Sequence, residues 1–561
     1  MSMPWSRLLL CSVLLAACGG DDPVDGDGGV DGGGGLDAGV DPSDSLFPRD
    51  RVIEVQINLA AADWDTLRAQ DPGPPEATCA GPPGVDAYTY FPATVTIDGT
   101  TIANVGVRKK GNLGSLSTTR PGLKVKANAY VSGQRIAGLK QLTLNNNKQD
   151  ETLISQCLGY GLFIRAGLPA PRCAFAHVTV NGVDLGVYTH VESIRDQFLT
   201  RHFGDDGGNL FESGGDFVPG GTGGFQPKQD ETMPDCSALD AVATALQAPA
   251  AELEARVGAV LELDAYLRFW AMEVVTGHWD GYANNRNNYF VYESPVTGKL
   301  SFIPWGADAL FEARVRSTRP QSVYACGALA WKLYDTPSTR ARYLAALRDV
   351  LDTVWDGEAM VAEIDRMQGL LRPLADPTNS GDYAALLDGV RQDVRAREAV
   401  LRAELDAGDP VWPYAASESC LVSVGTINAS FATTWGTLDT FNTGSGSMSG
   451  VVGGVDATTT TVLAGAGLDA EGQAALQVLG RLPDGRYAVL FLGVTDPASF
   501  RPGSYPVDLR NVFAFMTFYD PATDTASGGG LVLPGTLTLN QAATTAGAPV
   551  SGSFTGTVVE L

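Results

Sequence analysis

The sequence offers little for zinc or hydrolase chemistry. Its 561 residues include four histidines and eight cysteines, with no Cys-x-x-C pair. The histidines do not stand at metal-ligand spacing, so we expect no zinc site. They are His177, His190, His202 and His278. Gly-x-Ser-x-Gly and His-Glu-x-x-His are both absent, which leaves serine-hydrolase and zinc-protease hypotheses without a motif.

Positive charge is also scarce. The chain has 39 Lys and Arg against 64 Asp and Glu, which gives a formal net charge of −25 at pH 7. Nucleic acid and anionic lipid both require a basic surface, so we expect neither as a partner. Beyond the N-terminus no run of about 18 or more apolar residues occurs, so we expect no permanent membrane-spanning helix.

The first residues are typical of a bacterial lipoprotein signal. Residues 1–17 carry one positive charge, Arg7, and an apolar run that starts at Leu8 and is too short to span a bilayer. Leu15-Ala16-Ala17 then precedes Cys18, which is the pattern of a lipoprotein cleavage site. We therefore predict a signal peptide over residues 1–18 with lipidated Cys18. The alternative is an ordinary secretory signal in which Cys18 is incidental.

A Gly- and Asp-rich segment follows Cys18. Residues 19–45 contain no Lys or Arg and cannot bury an apolar face, so we predict a disordered tether. Gly19 and Gly20 supply no acidic retention signal after the lipidated cysteine. In a Gram-negative source this favours a lipid-anchored position on the outer membrane, on its periplasmic or surface face. The membrane would be contacted through this N-terminal lipid alone.

The remaining cysteines predict disulfides. An exported protein lies in an oxidising compartment, where cysteines pair structurally. The six candidates are Cys79, Cys157, Cys173, Cys236, Cys326 and Cys420. Six cysteines allow fifteen connectivities, and the sequence does not choose among them.

Two folded units are expected after the tether. Residues 46–405 mix alternating strands with helical periodicity, which predicts an α+β domain. Residues 406–419 are expected to be a linker. Residues 420–561 are rich in Thr, Gly, Val and Ser and contain short strands between turn residues, which predicts an all-β, sandwich-like accessory domain.

Basic side chains alternate with apolar ones on two strands of the first domain. Since neighbouring strand residues point to opposite faces, the basic side chains share one face. One strand sets Val105 and Val107 against Arg108 and Lys110, and the next sets Leu123 and Val125 against Lys124 and Lys126. The loop between the two strands starts at Gly111. Its glycines serve either phosphate binding or tight turns. A solvated basic face is the alternative to a binding role.

Further elements follow in order. Spacing of apolar residues predicts a helix over 150–167, and Asn181-Gly182 predicts a two-residue hairpin turn. The glycine-rich, acidic stretch 205–232 is expected to be a mobile loop. Helical patterns resume near Ala250 and recur over residues 339–355, 358–371 and 383–405.

The densest polar cluster lies between Leu261 and Phe311. A helix runs into His-Trp-Asp, which ends at Asp280, and Asp308 ends a later Pro-Trp-Gly-Ala-Asp stretch. Between the two acids stand Asn284, Asn285, Asn287 and Asn288. Carboxylates and amides at this density are how a magnesium-nucleotide phosphotransfer site is assembled. Asn and Asp that cap their own turns, or an Asp308 that caps a helix, are the alternatives.

The first domain resembles the spore coat protein H (CotH) kinase family, a divergent branch of the protein-kinase-like fold. Four motifs carry the resemblance in the right order and spacing. They are VGVRKKGN at 105–112, LKQLTLNNNKQDETLI at 139–154, VNGVDLGVYTHVE at 180–192, and GHWDGYANNRNNYFVY with FIPWGAD over 277–308. The resemblance implies phosphoryl transfer from ATP, with Mg²⁺ or Mn²⁺, to Ser or Thr of proteins.

The resemblance also implies roles for individual residues. Asp280 is the expected catalytic base, and Lys124 or Lys126 is expected to reach the phosphates. The expected nucleotide-binding residues are Arg108, Lys110, Gly111 and Glu192, although Glu192 is alternatively a surface acid. The expected metal ligands are Asp308 with Asn285 or Asn288, because the two asparagines fit different spacings of the kinase pattern.

One departure from the family pattern bears on activity. The family commonly reads Pro-Trp-Asp-x-Asp, whereas Gly306 stands at the first acidic position here. A second hypothesis follows from this departure and from the scarcity of ATP outside the cytoplasm. In it, the chain is a CotH-like surface binding or structural lipoprotein whose catalysis has lapsed.

Overall fold

The structure is a computed structural model, and its two compact units divide between Glu418 and Ser419. It describes residues 41–70, 78–81, 88–111, 115–228, 235–311, 320–374, 380–415, 422–438, 444–469, 472–494, 499–507, 512–523 and 525–560. The predicted signal, Cys18 and most of the predicted tether lie outside the described residues. None of the described helices is both long and apolar enough to cross a membrane.

The first described residues belong to the folded unit, although the tether was predicted to extend through residue 45. Pro42–Leu46 form a 3-10 helix that starts after Asp41. Leu46 and Phe47 are buried, and the Phe47 ring stacks on His190 at 4.6 Å between ring centroids. These apolar side chains follow a Gly/Asp-rich stretch directly, so the tether ends earlier than composition suggested.

Seven strands form a closed barrel in the order β1-β2-β3-β4-β5-β7-β6. The strands are β1 (Ile53–Leu59), β2 (Phe91–Ile97), β3 (Thr100–Lys110), β4 (Gly122–Lys126), β5 (Gln141–Asn145), β6 (Cys173–Val180) and β7 (Val183–Val191). The parallel pairing of β1 with β6 closes it. Alternation places Val107, Val125 and Leu144 in the core, which confirms the predicted faces.

Two local predictions in this region can be compared with the structure. Asn181 and Gly182 have φ of 52° and 79° and join β6 to β7 as the predicted hairpin turn. The helix predicted from residue 150 is α2 and starts later, at Ser155–Arg165. Its first turn is preceded by Asp150, whose carboxylate accepts the Ser155 N–H at 2.8 Å. The acid therefore caps the helix from outside it.

A second sheet and most helices follow the barrel. The sheet has the order β11-β10-β8-β9. Its strands are β8 (Asn209–Glu212), β9 (Gln226–Pro227), β10 (Tyr289–Glu293) and β11 (Leu300–Pro304). The helices are α1 (Ala61–Ala69), α3 (Asp196–Phe203), α4 (Ser237–Ala245), α5 (Ala250–Gly258), α6 (Leu263–Thr276), α7 (Tyr282–Asn285), α8 (Ala328–Asp335), α9 (Pro337–Thr353), α10 (Gly357–Leu371) and α11 (Ser380–Asp406).

The expectation of a mobile loop over 205–232 is wrong for its described part, 205–228. Strand β8 pairs with β10, and the rings of Phe217 and Phe225 are fully buried 5.1 Å apart. Glycine composition was misleading because the glycines here allow close backbone approach. A Cβ placed on Gly224 would lie 2.2 Å from the carbonyl oxygen of Gly214.

The predicted linker over 406–419 is partly packed against the first unit. The carbonyl of Pro410 accepts the Tyr334 hydroxyl at 2.6 Å. The carbonyl of Tyr414 accepts the indole N–H of Trp331 at 2.9 Å. Both donors lie on α8, so these residues are fixed to the helical half.

The second unit is all-β, as predicted, but its described strands form one continuous ten-stranded sheet instead of two facing sheets. The strands are β12 (Val422–Thr434), β13 (Ser445–Val452), β14 (Val455–Asp456), β15 (Val462–Leu468), β16 (Ala474–Arg481), β17 (Tyr487–Val494), β18 (Gly503–Val507), β19 (Val512–Asp520), β20 (Thr525–Gln541) and β21 (Pro549–Glu560). The sheet curls, since Trp435 beyond β12 bridges Ala466 in β15. The sheet has one large apolar core, and a smaller apolar cluster is formed by Leu479, Val489 and Tyr519. Strand periodicity does not encode which strands pair. The sequence therefore predicted a sandwich where the structure has one sheet.

Two disulfides of the first unit have both cysteines among the described residues. Cys79 pairs with Cys236 over a sequence separation of 157 residues, and Cys157 pairs with Cys173 over 16. The second joins α2 to the start of β6. Cys326 is disulfide-bonded as well. These pairs confirm the expectation of structural disulfides.

We expect the long-range disulfide to contribute more stability than the short one. A cross-link stabilises mainly by restricting the unfolded chain, and the restriction grows with loop length. Replacing Cys79 and Cys236 by Ala should lower the free energy of unfolding by about 5 kcal/mol, against about 3 kcal/mol for Cys157 and Cys173. Urea unfolding of the two double variants measures both values. Equal losses, or the reverse order, would contradict the loop-entropy account.

Candidate active site

The His-Trp-Asp segment is positioned by the end of helix α6. Gly277 adopts φ of 69°, the left-handed conformation in which glycine ends helices. The Gly277 N–H then bonds the Val274 carbonyl at 3.1 Å, and the His278 N–H bonds the Glu273 carbonyl at 2.8 Å. The chain turns sharply here and leads directly into His278-Trp279-Asp280.

The Glu273 side chain anchors the loop that follows. It is fully buried on α6, and its carboxylate oxygens accept the backbone N–H groups of Tyr282 at 2.7 Å and Ala283 at 3.0 Å. A Cβ on Gly281 would meet Glu273 Oε1 at 2.1 Å, so the loop needs glycine at this point. Burial raises the pKa of Glu273 to about 8 although both N–H bonds oppose the rise.

Asp280 is buried and held by three side-chain amides. Asn285 Nδ2 donates to Oδ1 at 2.6 Å, and Asn288 Nδ2 donates to Oδ2 at 2.6 Å. Asn287 Nδ2 lies 3.3 Å from both oxygens. The carboxylate therefore has one fixed orientation. Asn284 does not join this group, because its amide donates to the Trp279 carbonyl at 2.7 Å and braces the loop from inside.

The backbone of this loop carries local strain. Arg286 and Asn288 have φ of 58° and 49°, a region that side chains other than Gly seldom adopt. Asn tolerates it better than most residues, while Arg does not. Strain of this kind persists where the surrounding contacts over-determine the conformation, as the Glu273 and Asp280 bonds do here.

Three hydrogen bonds tie this loop to the Pro-Trp-Gly-Ala-Asp segment. The Trp305 carbonyl lies 3.1 Å from His278 Nε2, and the Trp305 N–H donates to the Asn288 carbonyl at 3.2 Å. Asn288 Nδ2 also approaches the Gly306 carbonyl at 3.3 Å. Burial lowers the pKa of His278 to about 4, so its ring is neutral at pH 7 and Nε2 donates. The chain segment that bears Asp308 is thus joined to the loop that bears Asp280.

Gly306 has a positive φ of 50° and lies against Asn288. A Cβ added there would lie 2.4 Å from Asn288 Cγ, closer than real contacts. The acidic residue that the family pattern sets at this position has no room in this arrangement unless Asn288 moves. An acid at position 306 and the present Asn288–Asp280 hydrogen bond therefore cannot occur together without a shift of Asn288.

The basic face of the barrel is buried, which argues against a solvated face. Arg108 and Lys124 are each 1% exposed and are cross-strand partners on β3 and β4. The Arg108 guanidinium lies over the rings of Tyr88 and Tyr90, at 5.7 and 5.4 Å from their centroids. Both cations thus lie inside the unit, and neither is part of a solvated surface.

Lys110 is the basic residue that the structure joins to the acidic loops. Its Nζ lies 5.9 Å from the centroid of the Trp305 ring and donates to Asn145 Oδ1. Lys126 pairs with Gly106, four residues or about 13 Å further along β3, and lies over Tyr90. Of the two lysines expected to reach the phosphates, Lys124 pairs with Arg108, two residues from Lys110 along β3, and Lys126 lies two residues further away.

Gly111 has a conformational role in the structure. Its φ is 113°, a Cβ there would lie 2.4 Å from Ser115 Oγ, and its carbonyl accepts the Tyr88 hydroxyl at 2.6 Å. These contacts favour the turn-forming alternative. The next residues, 112–114, lie outside the described residues.

Glu192 forms an ion-pair cluster at the end of β7. Its carboxylate bonds Arg172 at 2.8 Å and Arg201 at 2.5 Å and also accepts the Arg172 N–H at 3.0 Å. The two arginines hold the pKa of Glu192 below its usual value despite burial. With both oxygens engaged, the structure favours a cross-linking role over a nucleotide contact.

The residues present fit a hard divalent cation in their chemistry. Mg²⁺ prefers oxygen ligands from one or two carboxylates. Asp308 is a half-buried carboxylate three residues after Trp305, whose N–H bonds the Asn288 carbonyl. Nδ2 of Asn285 and of Asn288 faces Asp280. Asn285 is partly exposed, whereas Asn288 is 2% exposed and its amide oxygen lies against Gly306. No group of three or more His, Cys, Asp or Glu side chains at metal geometry occurs in the described part of the chain.

Sequence reasoning missed several positioning residues. Asn145 on β5 accepts Lys110 Nζ and donates to Gln156 Oε1 on α2 at 2.6 Å. Glu273 was missed because it reads as one more residue of an apolar helix. The signal that was available was an acid within an otherwise apolar helical run, Trp270 to Val275, directly before the motif.

The comparison with protein families agrees with this geometry. The model of the CotH kinase protein family matches residues 107–400, which is more than half of the chain. This chain belongs to the CotH kinase family. The match covers the barrel from β3 onward, both acidic loops and most of the helical half, and the α+β, kinase-like character predicted for this unit stands.

Individual relatives are distant. The chain is 26% identical over 272 residues to inner spore coat protein H of Bacillus subtilis, covering 45% of this chain and 74% of that protein. Two solved structures are also similar. The Helicobacter pylori proinflammatory kinase CtkA matches at TM-score 0.26 and 8% identity over 51% of this chain and 94% of its own. A Shewanella oneidensis HipA–HipB–DNA complex matches at TM-score 0.30 and 13% identity over 63% and 73%. Scores this low carry no argument beyond the family match.

We expect Glu273→Gln to loosen the Asp280 loop. Glutamine keeps one acceptor oxygen but places an NH₂ donor against the second backbone N–H, so one buried bond is lost at a cost of about 1–3 kcal/mol. Because the folded pKa of about 8 exceeds the usual 4.5, the stability contributed by the neutral carboxyl is full below pH 4.5 and is lost as pH rises through about 8. The stability gap between wild type and Glu273→Gln should therefore narrow over this pH range in urea titrations.

Glu262→Gln is the matched control for that experiment. Glu262 immediately precedes α6 and faces Lys299 at 3.9 Å in a partly exposed pair. Replacing Glu262 should change the free energy of unfolding little. That small change should not vary with pH as the effect of Glu273→Gln does. A pH-independent effect of Glu273→Gln would contradict the assignment of a neutral, loop-holding carboxyl.

Gly306→Ala should perturb the site more than its backbone strain alone explains. Gly298→Ala is the control, since Gly298 has φ of 67° and a Cβ added to it would meet no atom within 4 Å. We expect the control to lose about 1 kcal/mol from the positive φ. Gly306→Ala should lose more, because its Cβ displaces Asn288. In an Asn288→Ala background, Gly306→Ala should cost no more stability than Gly298→Ala does. Equal stability losses for the two glycine variants in the wild-type background would contradict a close contact between position 306 and Asn288.

Proposed function

We propose that the chain transfers the γ-phosphoryl group of ATP to Ser or Thr hydroxyls of proteins. The observation that carries the proposal is Asp280, a buried carboxylate held by three amides in a loop hydrogen-bonded to the segment bearing Asp308. Phosphoryl transfer needs a positioned acceptor for the hydroxyl proton, oxygen ligands for magnesium, and cations on the phosphates. Family membership supports the same reading.

Each role has a residue in this proposal. Asp280 orients the acceptor hydroxyl and takes its proton. Asp308, with the amide oxygen of Asn285 or Asn288, holds Mg²⁺ or Mn²⁺, which supplies neutralisation of phosphate charge when bound. Lys110, braced by Asn145, contacts the phosphates from the barrel side.

The remaining basic residues are assigned by their burial. Arg108 and Lys124 form a cross-strand pair on β3 and β4, two residues along the ladder from the pair of Lys110 and Gly122. They keep the barrel face positive where a nucleotide with up to four negative charges would bind. Lys126 and Glu192 do not contact the nucleotide in this proposal. Lys126 lies over Tyr90, and Glu192 cross-links Arg172 and Arg201.

The place of action is also a proposal. Lipidation at Cys18 and the Gly/Asp tether would hold the kinase-like unit at the cell envelope, on an outer membrane in a Gram-negative source. The disulfides are consistent with an oxidising compartment. The curled β unit would then contact a protein partner or substrate.

A second candidate is a surface binding protein in which catalysis has lapsed. Gly306 favours it, because the family acid is absent and Asn288 fills its place. Scarce extracellular ATP favours it as well. In that case the Asp280 loop would be a structural remnant and the β unit would carry the activity.

Transfer from labelled ATP separates the two candidates. Protein beginning at Asp41, which keeps the Asp41–Arg172 ion pair, is assayed with Mg²⁺ and then Mn²⁺. We expect Asp280→Ala and Asp308→Ala each to lower transfer at least 100-fold, because base and metal ligand are lost. Asp206→Ala, an exposed acid, is the control and should retain full transfer. No transfer, with no thermal shift by ATP, would overturn the kinase proposal.

A further inference from the structure

The Arg195 guanidinium is buried without a bonded anion among the described residues. Arg195 precedes α3 and is 4% exposed. Its one hydrogen bond is from Nη1 to the Lys228 carbonyl at 3.5 Å, the outer limit of such contacts. Its Nε and Nη2 have no hydrogen-bond partner, and it forms no salt bridge, within the residues that the structure describes.

The two unpartnered nitrogens form one edge of the guanidinium. That edge presents two parallel N–H donors, which match the two oxygens of a carboxylate or phosphate. Arg395 uses the same edge elsewhere in this chain, with Nε and Nη2 at 2.7 and 3.2 Å from the two carboxylate oxygens of Glu358. Arg195 therefore has the geometry of an oxyanion receptor whose ligand is not part of the chain described.

The charges nearby increase the need for an anion. Lys228 is 3% exposed and forms an ion pair at 2.5 Å with the fully buried Glu212. Glu212 thus already compensates Lys228, and Arg195 adds a second buried cation. A buried cation is stable only with a counter-charge close by.

The group formed by Arg195, Lys228 and Glu212 adjoins the Asp280 loop. Ser213 follows Glu212, and its hydroxyl lies 3.4 Å from Asn287 Oδ1. Asn287 in turn contacts both oxygens of Asp280. Asn285, Arg286 and Asn287 are partly exposed, so this side of the loop reaches solvent.

We propose that Arg195 is an anion-binding residue of the site and takes a phosphate-type oxyanion in bidentate contact through Nε and Nη2. The oxyanion belongs either to the nucleotide or to a phosphorylated residue of the acceptor protein. This identification of the ligand rests on the proposed phosphotransfer. The anion site itself does not.

Arg195→Met tests the site in the full mature chain. It removes the charge and keeps the length of the side chain. Because no described carboxylate compensates the guanidinium, its loss should not lower the melting temperature. Affinity for inorganic phosphate, measured by titration calorimetry, should fall at least tenfold. Arg195→Lys, which keeps the charge but not the two-donor edge, should recover little of that affinity.

Arg201→Met is the matched control. Arg201 lies on the same helix α3 and is paired with Glu192 at 2.5 Å. Its loss should lower the melting temperature, because Glu192 loses a partner, and should leave phosphate affinity unchanged. A fall in melting temperature for Arg195→Met like that for Arg201→Met, or unchanged phosphate affinity, would overturn the proposal. Phosphate binding lost in Lys110→Met but kept in Arg195→Met would also overturn it.

Two further arms identify the source of the oxyanion. A tenfold weaker affinity for Mg-ATP in Arg195→Met assigns the oxyanion to the nucleotide. Unchanged Mg-ATP affinity with weaker binding of a phosphoserine peptide assigns it to the acceptor. Failure of the wild-type chain to bind Mg-ATP would remove the proposed kinase function while the phosphate titration still decides whether Arg195 is an anion site.

Discussion

The candidate active-site region depends on one buried carboxyl group, that of Glu273. Its two bonds to the backbone N–H groups of Tyr282 and Ala283 hold the loop between α6 and β10 in a single conformation. A carboxyl buried in the core without partners would be costly, so the loop and the helix stabilise each other. The positive φ of Arg286 and Asn288 persists because this anchor fixes the chain on one side and strand β10 on the other.

A chain of hydrogen bonds runs from the loop that Glu273 holds to the segment that bears Asp308. The fixed loop places three amides on Asp280, and Asn288 extends the network to Gly306. Neutral His278 completes the link through the Trp305 carbonyl. A network in which each member has a partner is rigid, and rigidity is what positioning of a reacting hydroxyl requires.

The barrel contributes the opposite charge. Its interior is apolar, while the outer face of β3 and β4 carries Arg108, Lys110 and Lys124. Arg108 lies over Tyr88 and Tyr90 and Lys110 over Trp305, and packing against these rings leaves the two cations weakly hydrated. Lys110 lies over the ring of Trp305, so the end of β3 contacts the segment that bears Asp308.

Some of this architecture was predictable from local pattern. Strand alternation sorted Val107 from Arg108 correctly, and Asn181-Gly182 marked a hairpin, because both depend on neighbours in the chain. The grouping of Asn285, Asn287 and Asn288 around Asp280 was predictable because these residues are close together in the sequence. The folded stretch 205–228 was not predictable, since its glycines read as flexibility and its buried phenylalanines pack against residues far away in sequence.

The sequence by itself determined the family motifs, the faces of the strands, the positions of Asp280 and Asp308, and the all-β character of the last unit. These follow from residue type and spacing along the chain. Only the tertiary structure decided that Lys110 reaches Trp305 and Lys126 does not, that Arg108 and Lys124 are buried, that Gly306 makes room for Asn288, and that the last ten strands form one sheet. Each of these depends on contacts between segments distant in the chain, which spacing and composition do not encode.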